Sequence, residues 1–291
     1  MVAMVTGATD GIGRATAKLL AHRGYRVYGV SRTPARVPYL RHIAADVSRR
    51  DDVLRAVETV MDREGRIDLL VCCAGTSLAS PAEVTDPRDA RYLFDVNVWG
   101  CVDAACAVLP HMKRAGRGRI VLVSSMTGLF PVPYLSFYSS SKAALLAWAA
   151  ALDGEARPFG VRVCAVLPGG VRTQFTDKRK KYWDMVGDAR APGLGQAIRA
   201  IGTEEQTGLH PGQVAGEILR LARCPHPPVL APVGGAYKLY CLLQRALPQR
   251  AVLLALRWKY TKSGPMGAAQ STQIPPRKNC TNSTNAIKYG S

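Results

Sequence analysis

Short apolar runs recur along the first part of the chain, at residues 2–5, 26–30, 69–71, 120–123 and 161–166. Each is rich in Val, Ile or Leu and hardly alternates with polar positions, as in strands covered on both faces. Stretches with helical periodicity lie between them, near 13–23, 51–63, 88–114 and 137–157. Strand–helix alternation at this spacing predicts an α/β fold built on a doubly wound parallel sheet.

The rhythm breaks after Pro168. Residues 174–211 form a long, basic, Gly-containing stretch with Phe175, Tyr182, Trp183 and Met185 interspersed, expected as an inserted lid or binding loop. A helix near 212–223 and a strand at 229–231 would complete the sheet, so residues 1–235 are expected as one domain. Residues 236–262 set Leu239, Leu242, Leu243, Leu247, Leu253, Leu256 and Trp258 among Lys and Arg. They read as a basic amphipathic extension of two helices divided at Pro248. Residues 263–291 are polar and without period, expected as a disordered tail.

Composition adds limits. The first apolar run starts almost at Met1, so no targeting segment is expected ahead of it, and the expected location is cytoplasmic. The eight cysteines show no CxxC pair with His partners, so no metal site is expected and the thiols read as small buried groups. The net charge of +18 is uneven, with no Asp or Glu from Arg220 to Ser291. That excess would attract anionic lipid, nucleic acid or acidic ligands without choosing among them. No recognisable nucleic-acid module or aromatic platform accompanies it, so nucleic acid is not the expected partner.

Thr6-Gly7-Ala8-Thr9-Asp10-Gly11-Ile12-Gly13 follows the first predicted strand and opens the first predicted helix. Glycines in this context permit a tight turn and close approach of a pyrophosphate to a helix N-terminus. Tyr138 and Lys142 stand at i and i+4, on one face of a predicted helix. A free phenol is a poor base at neutral pH, and a neighbouring ammonium would favour its phenolate. At the end of the second strand Val30-Ser31-Arg32 offers a hydroxyl and a guanidinium but no carboxylate. That choice favours NADP(H), whose 2′-phosphate suits Arg32, with NAD(H) the alternative.

The TGxxxGxG spacing with YxxxK resembles the short-chain dehydrogenase/reductase family and implies a Rossmann-like fold. Further matches run in order through residue 231. Asp46-Val47 stands where the family contacts adenine, and Cys73-Ala74-Gly75 where it usually has Asn-Ala-Gly. Asn97 and Ser125 match its catalytic Asn and Ser, Ser125 lying thirteen residues before Tyr138. Pro168-Gly169-Gly170-Val171-Arg172-Thr173 matches its nicotinamide segment. The resemblance implies Asn97, Ser125, Tyr138 and Lys142 as catalytic. It implies cofactor contacts from Gly7, Thr9, Asp10, Gly11, Ile12, Gly13, Ser31, Arg32, Asp46, Val47, Ala74, Gly75, Asn97, Tyr138, Lys142, Pro168, Gly169, Val171 and Thr173. Asp10 departs from the basic residue that many NADP-preferring relatives carry. The Cys72-Cys73 pair replaces supporting amides, and a packing substitution with the backbone contact kept is expected there. Asn97 would hold a water linked to Lys142 as a proton relay.

The expected reaction moves hydride between NADP(H) and a carbonyl or alcohol, with Tyr138 as acid or base and Ser125 holding the substrate oxygen. The apolar wall from Gly128 to Leu135 and the 174–211 aromatics point to a lipophilic substrate such as a steroid, retinoid or acyl lipid. The 237–260 segment would suit peripheral contact with a membrane, a cap on the pocket or a subunit contact. The family pattern implies a homodimer or homotetramer. The competing readings are a non-catalytic NADP(H)-binding regulator on the same fold and a nucleotide-sugar epimerase, whose usual TGxxGxxG turn differs. The serines lack a GxSxG elbow, which speaks against a hydrolase.

Overall fold

The computed structural model describes residues 1–34, 37–175, 179–181 and 193–261. Its first strands are β1 (Val2–Thr6), β2 (Arg26–Ser31), β3 (Arg41–Ala44), β4 (Leu69–Cys72) and β5 (Leu78–Ala79). β6 (Gly118–Val123), β7 (Val161–Leu167), β8 (Lys180–Lys181) and β9 (Leu230–Pro232) follow. Seven of them make one parallel sheet in the order β3-β2-β1-β4-β6-β7-β9. The order runs outward in both directions from β1 and β4, so the crevice beyond their carboxyl ends is the natural ligand position of this architecture.

Alternate residues of the strands feed two cores. Val2 and Met4 of β1 join the side packed by α2 (Arg50–Glu64), α4 (Gly100–Arg114) and α5 (Ser136–Ala156). Ala3 and Val5 join the other, packed by α1 (Gly11–His22) and α7 (Pro211–Arg223). Both faces are covered, which is why the strand sequences are apolar throughout.

Four features differ from the sequence expectations. β3 went unseen because Arg41-His42-Ile43-Ala44 is a short, half-exposed edge strand without an apolar run. The helix expected near 88–114 is α3 (Pro87–Phe94) and α4 joined through a π-helical turn at Asp95–Trp99. A π turn widens the helix at one place, and such turns cluster at functional sites. Pro87–Arg114 is also the described segment long and apolar enough to cross a membrane, but half of its most apolar window is buried inside the fold.

The 174–211 stretch, expected as a lid, contains β8 paired with β5 and a helix, α6 (Leu194–Gln206). Tyr182, Trp183 and Met185 lie outside the described residues, as does the 263–291 tail. The fourth difference is how the C-terminal helices are attached. α8 (Gly235–Ala246) and α9 (Gln249–Thr261) flank Pro248 as expected, and they are held by apolar packing of Tyr237, Cys241, Leu256 and Tyr260, by Gly170 N–H donating to the Tyr237 hydroxyl at 3.2 Å, and by a carboxylate on α6. Glu204 accepts hydrogen bonds from Tyr237 (3.3 Å) and Tyr260 (2.6 Å), and Lys259 Nζ lies 3.4 Å away. Burial and this carboxylate together push the Tyr260 phenol far above its ordinary pKa.

Glu204 is therefore a polar latch on the C-terminal pair, beside its apolar packing. Glu204→Ala should release α8 and α9 locally at a cost of about 2 kcal/mol, the usual loss when partly buried donors lose a charged acceptor. Faster hydrogen exchange in residues 235–261 with an unchanged sheet is the expected result. Uniform protection would contradict the latch.

Candidate active site

The glycine turn between β1 and α1 sits at the point where the strand order reverses. Gly7 has φ +65° and lies so close to the β4 exit that a Cβ there would be 2.9 Å from Ala74 Cα. A Cβ on Gly13 would come within 2.1 Å of the Gly7 carbonyl oxygen, so α1 can lie against the turn only without one. Asp10 caps α1, its carboxylate accepting from Gly11 N–H at 2.7 Å. Thr6 Oγ1 accepts from both Cys73 and Ala74 N–H at 3.1 Å, tying β4's exit to the turn through backbone. The cysteines at 72 and 73 thus leave the main-chain geometry in place.

The ends of β6 and β7 are tied to each other and to α5. Ser124 at the end of β6 donates to the Lys142 carbonyl of α5 at 2.8 Å, and Met126 N–H donates to the Pro168 carbonyl at 2.9 Å. Gly128 makes this junction possible, since a Cβ there would meet Lys142 backbone at 2.9 Å. The ties leave Ser125 between β6 and α5, its hydroxyl accepting from Thr127 N–H at 3.1 Å and lining the same cavity as the Tyr138 phenol. Tyr134, at φ +65°, bends the chain into α5, and its carbonyl accepts from Ser80 N–H at 2.9 Å. A left-handed tyrosine is strained, and the strain falls one helical turn before Tyr138.

Burial pushes the Tyr138 phenol up to about 12, while the charge of Arg179 and the neighbouring Ser125 hydroxyl pull the other way. Lys142, expected to favour the phenolate, is buried beside the phenol. Its Nζ lies 5.7 Å from the Tyr138 ring centroid and donates to the Val123 carbonyl at 3.0 Å. Burial lowers the Lys142 pKa, and the thiols of Cys101, Cys73 and Cys72 act against that. Asn97, expected to hold a water linked to Lys142, is anchored through its side chain. It lies in the π turn, fully buried, accepting from Thr76 N–H (2.8 Å) and donating to the Thr76 carbonyl (3.0 Å) and Ser141 Oγ (3.1 Å). Its amide is spent on holding the Gly75–Thr76 backbone, and Asn97 Oδ1 and Lys142 Nζ flank the same space beside Gly75.

Every site residue named from the sequence except Asn97 lines one cavity of about 860 Å³. That is toward the upper end of the ~300–1,000 Å³ that ligand pockets span. Glycines whose missing Cβ leaves room against backbone, the N-terminus of α1 and Arg32 at the far end form a cradle that fits a nicotinamide dinucleotide. Asp46 lies at that far end and accepts from the Ser48 N–H and hydroxyl at 3.0 and 2.8 Å. Among the described residues no cluster of His, Cys, Asp and Glu could hold a metal ion.

Sequence reasoning missed several wall residues. Arg179 is buried, donating to Glu205 (2.5 Å) and Ser77 Oγ (3.2 Å). It read as one more cation of the basic 174–211 stretch, and nothing in that stretch sets it apart. Glu204, Glu205, Tyr92 and the inner faces of α8 and α9 arrive from distant sequence, with no local motif to announce them.

Residues 1–183 match the family described as short chain dehydrogenase. The chain is 33% identical over 263 residues to 3-ketodihydrosphingosine reductase of Bacteroides thetaiotaomicron, covering 89% of this chain and 97% of that protein. The crystal structure of a short-chain dehydrogenase from Streptomyces avermitilis superposes with a TM-score of 0.75 at 30% identity, covering 89% and 95% of the two chains. The closed form of serine dehydrogenase complexed with NADP+ aligns at 25% identity with a TM-score of 0.69, over 80% and 94%.

The chain belongs to the short-chain dehydrogenase family. It is an NAD(P)-dependent oxidoreductase acting on CH–OH and C=O groups of small molecules.

Proposed function

We propose that the protein is an NADP(H)-dependent reductase of a lipophilic ketone, with Tyr138 as the proton donor. The observation that carries this reading is one continuous cavity, with Ser125, Tyr138 and Lys142 on one wall and α8 and α9 on another. Leu243, Leu247, Val252 and Leu256 supply the second wall, suited to a long apolar chain. The relative named 3-ketodihydrosphingosine reductase points to the same class, a keto group on a lipid. NADP(H) is preferred because the end of β2 offers Arg32 and no carboxylate.

The bound nicotinamide supplies or accepts the hydride. Tyr138 gives its phenolic proton to the carbonyl oxygen as negative charge develops there, and the Ser125 hydroxyl hydrogen-bonds the same oxygen. Lys142, held on the Val123 carbonyl, and Asn97, clamped to Thr76, position the floor beneath the phenol. A phenol pushed up to about 12 stays protonated at neutral pH, the form that carbonyl reduction needs.

The cavity mouth adds a reading of how the substrate arrives. Tyr240, Leu243 and Leu247 line the cavity and are each about half exposed, so the mouth opens within the outer face of α8 and α9. Leu242, Leu254 and Trp258 are 61%, 64% and 70% exposed on the same two helices. Lys238, Arg250 and Arg257 are exposed among them. An apolar face rimmed by cations suits an anionic lipid surface, from which a lipophilic substrate would enter directly.

Tyr138→Phe should lower kcat by about 10²–10⁴ with folding and NADPH binding intact. The reduction rate should stay nearly flat between about pH 6 and 9, while alcohol oxidation rises with pH as the phenolate forms. A reduction rate that falls with a midpoint near 7 would count against Tyr138 as the acid. Co-sedimentation with phosphatidylcholine vesicles should appear on adding phosphatidylserine, weaken with salt and drop several-fold in Trp258→Glu. Binding indifferent to lipid charge and to that substitution would remove the membrane reading and leave the chemistry standing.

A further inference from the structure

The far end of the cavity contains a contact that the catalytic reading does not use. Arg32 lies just beyond β2 and is exposed, yet its Nη1 donates to the Tyr92 hydroxyl at 2.8 Å. Tyr92 is on α3, sixty residues further along the chain, and both residues line the cavity. Val96, one helical turn on, lines it too, with Ala45, Asp46 and Val47 beside it. The Arg32–Tyr92 bond therefore joins β2 to α3 at the end of the cavity away from Tyr138.

The chemistry of the partner matters. A carboxylate would fix the guanidinium and cancel its charge, whereas a phenol is a neutral acceptor that fixes it and leaves the charge available. Among the described residues no ion pair involves Arg32. Guanidinium carries five N–H donors in one plane, and one bond to Tyr92 leaves four for a bidentate grip on phosphate oxygens.

Ser31 is prepared beside it. Its single hydroxyl proton goes to the Thr33 carbonyl at 3.0 Å, so the His42 Nε2, 2.8 Å away, is the donor in their contact. His42 can keep donating while the Ser31 proton turns to a phosphate oxygen. An exposed arginine otherwise samples many rotamers, and ligand binding is weakened by the ordering it must impose.

We infer that Tyr92 is a specificity-determining residue for NADP(H): it holds the Arg32 guanidinium, charge intact, ready for the 2′-phosphate of the cofactor. This rests on the NADP(H) preference proposed above and extends it to a residue on a different element. Tyr92 acts through Arg32, so its loss should be felt only by a ligand that carries the phosphate.

The test is equilibrium titration of NADPH and NADH by nucleotide fluorescence at fixed ionic strength, which needs no substrate. Wild type should bind NADPH at least about tenfold more tightly than NADH. Tyr92→Phe should weaken NADPH about three- to tenfold and leave NADH within about twofold. In an Arg32→Ala background the same substitution should change neither, and circular dichroism should show all variants folded. Equal weakening of both nucleotides, or of neither, overturns the role of Tyr92 while the wild-type preference stands. A wild type that does not prefer NADPH overturns the NADP(H) preference and the role of Tyr92 with it.

Discussion

The approach of α1 to the turn that leaves β1 is the contact on which the rest depends. Gly13 lies against the Gly7 carbonyl, and Gly7 against the backbone of Ala74, with no room for a Cβ at either place. Thr6 locks the same junction by accepting from two successive N–H groups of β4's exit. Because β1 and β4 are adjacent at the centre of the sheet, this junction sets where the crevice opens. The ends of β6 and β7 then bring Ser125 and Pro168 to the same rim. The chemistry sits where it does because two strands part there and glycine allows a helix to come close.

Much of this was legible in the chain. The turn at 6–13 is local, its glycines are required by sterics, and the apolar runs on either side place it after a strand. Tyr138 and Lys142 share a helix face by spacing alone. What could not be read was how those groups are wired. Lys142 of α5 donates to the Val123 carbonyl of β6, and Asn97 spends its amide on Thr76, contacts with partners about twenty residues away that no local pattern announces. A buried ammonium takes the nearest carbonyl, and a π turn re-aims the residue it carries. Glu204, Arg179 and Tyr92 were invisible for a related reason. Each is an ordinary polar residue until a distant segment folds against it.

The cavity is divided by chemistry. At one end Arg32 keeps an uncancelled charge; at the other Arg179 is paired with Glu205, and its field on Tyr138 is outweighed by burial. Between them stand the strand ends that place Ser125 and Tyr138. α8 and α9 supply another wall, with Leu242 and Leu254 exposed while Leu243, Leu247 and Leu256 line the cavity. A carboxylate on α6 ties both helices together through Tyr237 and Tyr260. In the reductase proposed above, the same two helices bear on substrate shape, entry and local stability, and their acid-free, basic sequence gives the surface around them a positive charge.

The most direct measurement is NADPH oxidation, followed by absorbance, with straight-chain ketones of increasing length. A reductase with its phenol beside an apolar wall should show kcat/KM rising by about tenfold for every two methylenes buried, until the wall is filled. NADH should support the reaction less well at equal concentration. Equal rates on short and long ketones, or no NADPH oxidation with any of them, would contradict a lipophilic ketone reductase.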